Sequence, residues 1–67
     1  MKKPESLGAR LRIARLNRGM TLQEASKEVG ISWQALSKIE LDEMTPSLNR
    51  LRQLGKLYQV SFDWLLQ

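Results

Sequence analysis

Residues 21 to 40, Thr-Leu-Gln-Glu-Ala-Ser-Lys-Glu-Val-Gly-Ile-Ser-Trp-Gln-Ala-Leu-Ser-Lys-Ile-Glu, read as two short capped helices joined by a glycine turn. Thr21 followed by Glu24 has the spacing of a capping box, in which each residue's side chain satisfies the other's free amide. Ser32 can cap the second helix in the same way. Ala25 and Val29 lie four apart on one face of the first helix, and Leu36 and Ile39 lie three apart on the second. Gly30 can adopt the positive φ that ends a helix, and Ile31 plugs the corner between the two. The helices therefore share a small apolar seam. Trp33, Gln34, Ser37 and Lys38 lie outside it, free to meet another molecule.

Working outward, the chain predicts one all-α domain over residues 1–67, with five short helices at about 6–18, 22–29, 33–40, 48–58 and 62–66. The first helix begins at about Glu5 or Ser6, just after Pro4. It buries Leu7, Leu11 and Ala14 and stops at Gly19. Thr45 precedes Pro46 and is pushed out of helical geometry, after which Ser47 caps the fourth helix. That helix places Leu48, Leu51, Leu54, Leu57 and Tyr58 on one apolar stripe, with Arg50, Arg52 and Lys56 outside it. Gly55 inside it costs up to about 1 kcal/mol relative to alanine, which predicts a close crossing by another helix. Ser61 caps a terminal turn containing Phe62, Trp64, Leu65 and Leu66. Met20, Leu41 and Met44 fall outside the clear stripes and either complete the core or contribute to a small dimer surface.

Composition narrows the chemistry. The 67 residues include no Cys and no His, which removes thiol nucleophiles, imidazole bases and the usual zinc ligands together. No catalytic pair, phosphate-cradling glycine loop, metal site or cofactor site is expected, so an enzyme is not expected either. No run approaches a membrane span, and Met1-Lys2-Lys3 does not lead into a signal-peptide apolar region, which predicts a cytoplasmic protein without membrane association. Net charge is +4, and it is segregated. Residues 1–20 carry Lys2, Lys3, Arg10, Arg12, Arg15 and Arg18 against Glu5 alone. Residues 21–46 are net acidic, and residues 47–67 are net basic through Arg50, Arg52 and Lys56. A polyanion is attracted mainly by the first and fourth helices.

Over Leu7 to Leu66 the order and spacing resemble the lambdoid phage repressor and Cro type of helix-turn-helix, also called the XRE family. The resemblance is carried by Leu7-Gly8-x-Arg10-Leu11-Arg12-x-x-Arg15, Gly19-Met20-Thr21, Gly30-Ile31-Ser32, Leu36-Ser37-Lys38-Ile39-Glu40, Pro46-Ser47-Leu48 and Val60-Ser61-x-Asp63-x-Leu65-Leu66. It implies a lambda repressor-like fold, with the third helix in the DNA major groove and the second lying across the backbone. It also implies a transcriptional regulator, most often a phage or bacterial repressor, that binds a pseudo-palindromic operator in double-stranded DNA as a weak homodimer. Self-contact is then expected around Tyr58, Phe62 and Trp64, although Phe62 and Trp64 equally suit the core. Arg15 and Glu40 are implied to form a buried structural ion pair.

For base reading, Gln34 can pair with adenine N6 and N7, Lys38 can donate to guanine O6 and N7, and Ser37 can bond to a base edge or a phosphate. Trp33 can pack on thymine methyls or sugar, fold back over the second helix, or meet a protein partner. Phosphate contacts are expected from the helix starts at Thr21, Ser32 and Ser47, together with Gln23 and Arg10. Two features depart from the family pattern. Leu22 stands where a phosphate-binding glutamine is common, with Gln23 displaced by one residue, and the loop Leu41-Asp42-Glu43-Met44 brings two carboxylates where glycine and basic or polar residues are usual. Both point to weaker DNA affinity or to a loop that faces away. The alternative function is a protein-interaction module on the same fold, such as an antitoxin or antirepressor partner, anchored by Trp33 and Leu41.

Overall fold

Each helix begins at a side-chain cap. In the computed structural model, which describes residues 6–67, the order is α1 (Leu7–Asn17), α2 (Leu22–Val29), α3 (Trp33–Glu40), α4 (Leu48–Tyr58) and α5 (Phe62–Leu65). The readings placed on Met1 to Glu5, including the start at Pro4 or Glu5, lie outside the described residues. The hydroxyls of Ser6, Ser32, Ser47 and Ser61 accept the amides of Ala9, Ala35, Arg50 and Trp64 at 3.0–3.1 Å. At α2 the capping box is complete. Thr21 Oγ1 accepts the Glu24 amide at 3.1 Å, and Glu24 Oε1 accepts the Thr21 amide at 2.9 Å. The hydrogen bond from the Thr21 amide, reinforced by the threonine side chain, holds the Glu24 carboxyl below its ordinary pKa. Gly30 ends α2 at φ 74° and ψ 32°, which turns the chain into α3.

The core is built from Leu11 and Ala14 of α1, Ala25 and Val29 of α2, Leu36 and Ile39 of α3, Leu51, Leu54 and Tyr58 of α4, and Leu65 of α5. Leu7, Met20, Leu22, Ile31, Leu57, Val60, Phe62 and Trp64 pack around it half-buried. Leu22, the departure from the family pattern, thus has a packing role. The helices α1 and α4 form the scaffold behind α2 and α3, and α5 closes the far end against both.

Four sequence expectations need correction. Leu48 does not belong to the buried stripe of α4, being 65% exposed. Side chains on a helix lean toward its N-terminus, so this first-turn leucine projects past the end of α4. Leu41 and Met44 do not complete the core, since both are exposed on the α3–α4 link. That link is anchored by a polar contact, between Asp42 and Gly8, which holds it on the surface. Tyr58 is not available for self-contact, because it is buried in the core. At Gly55 an added Cβ would lie 3.4 Å from the Val60 carbonyl oxygen and 3.5 Å from Leu65 Cδ1. These are ordinary packing distances, so glycine is not demanded there.

Candidate nucleic-acid interface

Successive residues of a helix are about 100° apart around its axis. In α3 the buried arc is formed by Leu36, Ile39 and Glu40, and Gln34 points away from it. Lys38 lies about 40° to one side of Gln34 and Ser37 about 60° to the other, with Trp33 about 100° away at the margin of the outward face on the Ser37 side. Trp33, Gln34 and Lys38 are exposed and Ser37 is half-buried. The four expected base readers therefore share one continuous surface, with an amide and an ammonium near its middle and an indole at its edge.

The other end of α3 is held firmly. Arg15 Nε donates to Glu40 Oε2 at 2.8 Å and Arg15 Nη2 to Glu40 Oε1 at 3.1 Å, a two-pronged pair between residues each 7% exposed. Arg15 Nη1 also donates to the Met20 carbonyl at 2.8 Å, tying the α1–α2 corner to the same guanidinium. The hydrogen bonds to Glu40 raise the Arg15 pKa against the opposing effect of burial. A planar fork matched to a carboxylate fixes direction as well as distance. It fixes the end of α3 relative to α1.

The helix starts offer donors in addition to the side chains. The first amides of any helix lack intrahelical partners. At α2 the capping box uses those of Thr21 and Glu24, leaving the amides of Leu22 and Gln23 pointing outward. The caps at Ser32 and Ser47 each occupy the amide three residues on, so the amides of Trp33 and Gln34 in α3, and of Leu48 and Asn49 in α4, are the donors available to an anion. The Thr21, Ser32 and Ser47 hydroxyls accept these capping bonds and keep their O–H donors. Gln23 is exposed.

Arg10, expected to hold phosphate, also has partners within the fold: Nη1 donates to the Leu65 carbonyl at 3.4 Å and to the Gln67 carbonyl. The unpaired carbonyls at the end of α5 attract a cation, and Arg10 supplies it. Arg50, read only as part of a basic face, has a similar role. Nη1 donates to the Val29 carbonyl at the end of α2 and to Gln53 Oε1 at 3.0 Å. Two of the basic residues on the polyanion-attracting helices thus help hold the fold. Nor are the loop carboxylates equivalent. Both are exposed, but Asp42, at φ 61°, turns its Oδ1 onto the Gly8 amide at 3.0 Å. The sequence signal for this contact was an isolated glycine inside a helical pattern at position 8, which calls for a packing reason.

A short helix docked on a scaffold through a glycine turn, with polar side chains along its outward face, defines a helix-turn-helix recognition domain. A helix-turn-helix family model matches residues 11–65, and the chain belongs to that family, in its lambdoid repressor and Cro branch. The HTH-type transcriptional regulator ImmR of Bacillus subtilis (strain 168) is 43% identical over 61 residues, covering 91% of this chain and 48% of that protein. The chain thus spans about half the length of this curated relative. Among solved structures, the DNA-binding domain of the P22 c2 repressor superposes with a TM-score of 0.87 at 32% identity, covering 97% of this chain and 86% of that one. The biofilm regulator SinR, solved in complex with DNA, gives 0.83 at 31% identity, with 91% and 98% covered. The P22 c2 repressor bound to a synthetic operator gives 0.85 at 33% identity, with 91% and 92% covered.

Proposed function

We propose that this domain binds double-stranded DNA in a sequence-specific manner and regulates transcription, as a repressor acting from the bacterial cytoplasm on a pseudo-palindromic operator. The observation that carries the reading is the outward face of α3, where Gln34 and Lys38 stand exposed on a helix whose far end is fixed by the Arg15–Glu40 pair. Structural relatives described as bound to DNA or to an operator support it. Gln34 and Lys38 read bases, with Ser37 bonding to a base edge or a phosphate. The amides opening α2, α3 and α4, together with Gln23, hold phosphates. Lys38 is the cation of this surface, and the acidic Glu43 beside it weakens the attraction. Two copies bind weakly together, one per half-site about one helical turn apart. If each neutralises about three phosphates, the logarithm of affinity falls with that of salt at a slope near −5.

Selection of a random duplex pool at about 100 mM salt, a level at which non-specific attraction is already weakened, tests the reading. An enriched inverted repeat supports an operator-reading dimer, and an enriched single half-site supports the monomeric domain. No enrichment at any salt overturns DNA reading. It would favour the second reading, a protein-interaction module, for which the exposed Trp33 and Leu41 are the observation.

A further inference from the structure

Trp33 is the first residue of α3 and is 45% exposed. The rest of the outward face of α3 is polar. If α3 enters the major groove, this indole must meet something apolar there or lose its hydration without compensation. The groove edges of the four base pairs present hydrogen-bonding groups and a single apolar substituent, the C5-methyl of thymine. That methyl projects near its own strand, toward the side of the groove. Trp33 occupies the corresponding place on the protein, at the margin of the face about 100° from Gln34.

We infer that Trp33 is a specificity-determining residue that selects thymine through its methyl group, next to the base pairs read by Gln34 and Ser37. This inference rests on the DNA-binding reading and adds to it a preference that hydrogen bonding cannot supply. The contact is apolar, so it contributes affinity without releasing counterions, unlike a contact from Lys38. Because Ser32 caps α3 and Trp33 follows it at the edge of the face beside Ser37, the thymine falls at the half-site position contacted by the start of the recognition helix.

The test uses the duplex selected above, with each thymine replaced singly by deoxyuridine, which removes one methyl and leaves every hydrogen-bonding group in place. The wild-type protein should bind one substituted duplex about fourfold more weakly, the value of one buried methyl. Trp33→Ala should bind the thymine and deoxyuridine duplexes equally while keeping the wild-type salt slope. Trp33→Phe, apolar but without the indole N–H, should retain most of the discrimination. Equal wild-type affinity for all deoxyuridine duplexes overturns the inference and leaves the DNA-binding reading intact. So does discrimination that survives in Trp33→Ala. Failure to select any duplex overturns both.

Discussion

The carboxylate of Asp42 accepts the amide hydrogen of Gly8 at 3.0 Å, joining the link after the recognition helix to the first turn of α1 across 34 residues of sequence. The contact works because α1 opens beside the end of α3. A Cβ on Gly8 would lie 2.5 Å from the Glu40 carbonyl oxygen and 2.6 Å from that of Ile39. The amide-rich start of α1 therefore faces the carbonyl-rich end of α3, and the Asp42 charge adds to the attraction. An acidic residue that the sequence placed near phosphate instead accepts a hydrogen bond from the start of α1 at the protein surface.

Gly8→Ala tests this approach. Two of the three nearby oxygens belong to the backbone and cannot move aside as the Asp42 carboxylate oxygen at 2.7 Å can, so overpacking should cost about 1–3 kcal/mol. Thermal melting should show a clear decrease. A wild-type melting temperature would contradict the close approach. At Asp42 two effects separate: glycine relieves the left-handed backbone and loses the cap, whereas alanine loses the cap and keeps the strain. Asp42→Gly should therefore melt above Asp42→Ala by an amount near the left-handed penalty of about 1 kcal/mol.

The Arg15–Glu40 pair predicts a different pattern. Removing one partner leaves a buried charge without compensation, at a cost of about 3–5 kcal/mol. A domain this small rarely holds more than roughly 3–5 kcal/mol in total, so Arg15→Ala or Glu40→Ala should be largely unfolded at room temperature by circular dichroism. Arg12→Ala, a change at an exposed position of the same helix, should be within about 0.5 kcal/mol of wild type. An apolar double replacement, Arg15→Met with Glu40→Leu, should recover much of the loss. Equal destabilisation in the double variant would show that geometry, not desolvation, controls the pair.

Gly55 of α4 and the capping residue Gln59 just after it should accept stabilising changes. Gly55→Ala fits at 3.4–3.5 Å from its neighbours and removes the flexibility of a glycine inside a helix, for a gain of up to about 1 kcal/mol. Gln59 holds φ 58° at the end of the same helix, where glycine is free of the Cβ penalty. Gln59→Gly should also gain about 1 kcal/mol. Urea denaturation should show both midpoints raised with unchanged slope, and the two gains nearly additive.

These positions also show what was legible in the sequence. The caps at Thr21, Ser32, Ser47 and Ser61 and the seams of Ala25, Val29, Leu36 and Ile39 are local or periodic signals, and they placed α2, α3 and α4. The fates of Leu48, Leu41 and Met44 depend on where each helix ends relative to its neighbours, which periodicity does not encode. The roles of Asp42, Arg10 and Arg50 depend on contacts between residues 34, 55 and 21 positions apart. A charge that caps a distant helix looks the same in sequence as one left in solvent. Arg15 and Glu40 were legible through resemblance, and no spacing rule pointed to their pairing.

Base reading predicts selective losses. Gln34→Ala and Lys38→Ala should each cost about 1–3 kcal/mol on the selected duplex and relax preference at one position. Neither side chain is buried, so melting temperatures should remain near wild type. Uniform weakening on every duplex would assign them to the backbone instead.

Tyr58 supplies a prediction about alkaline pH. Its ring is buried in the core, and its hydroxyl has no hydrogen-bond partner among the described residues. Burial, with Glu40 adding to it, raises its pKa well above the ordinary value of 10.0. The unfolded chain therefore releases this proton as pH passes 10, while the folded protein keeps it. Stability linked to Tyr58 is complete below that value and declines above it, because the folded state then binds more protons than the unfolded one. Tyr58→Phe removes both the unpaired hydroxyl and the titration. At neutral pH it should be as stable as wild type or gain about 1–3 kcal/mol, the cost of an orphaned buried polar group. Above pH 10 the difference should widen in favour of phenylalanine. Urea denaturation of both proteins at pH 7 and pH 10.5 separates the two effects, and a loss of stability in Tyr58→Phe at neutral pH would mean that the hydroxyl is hydrogen-bonded in solution.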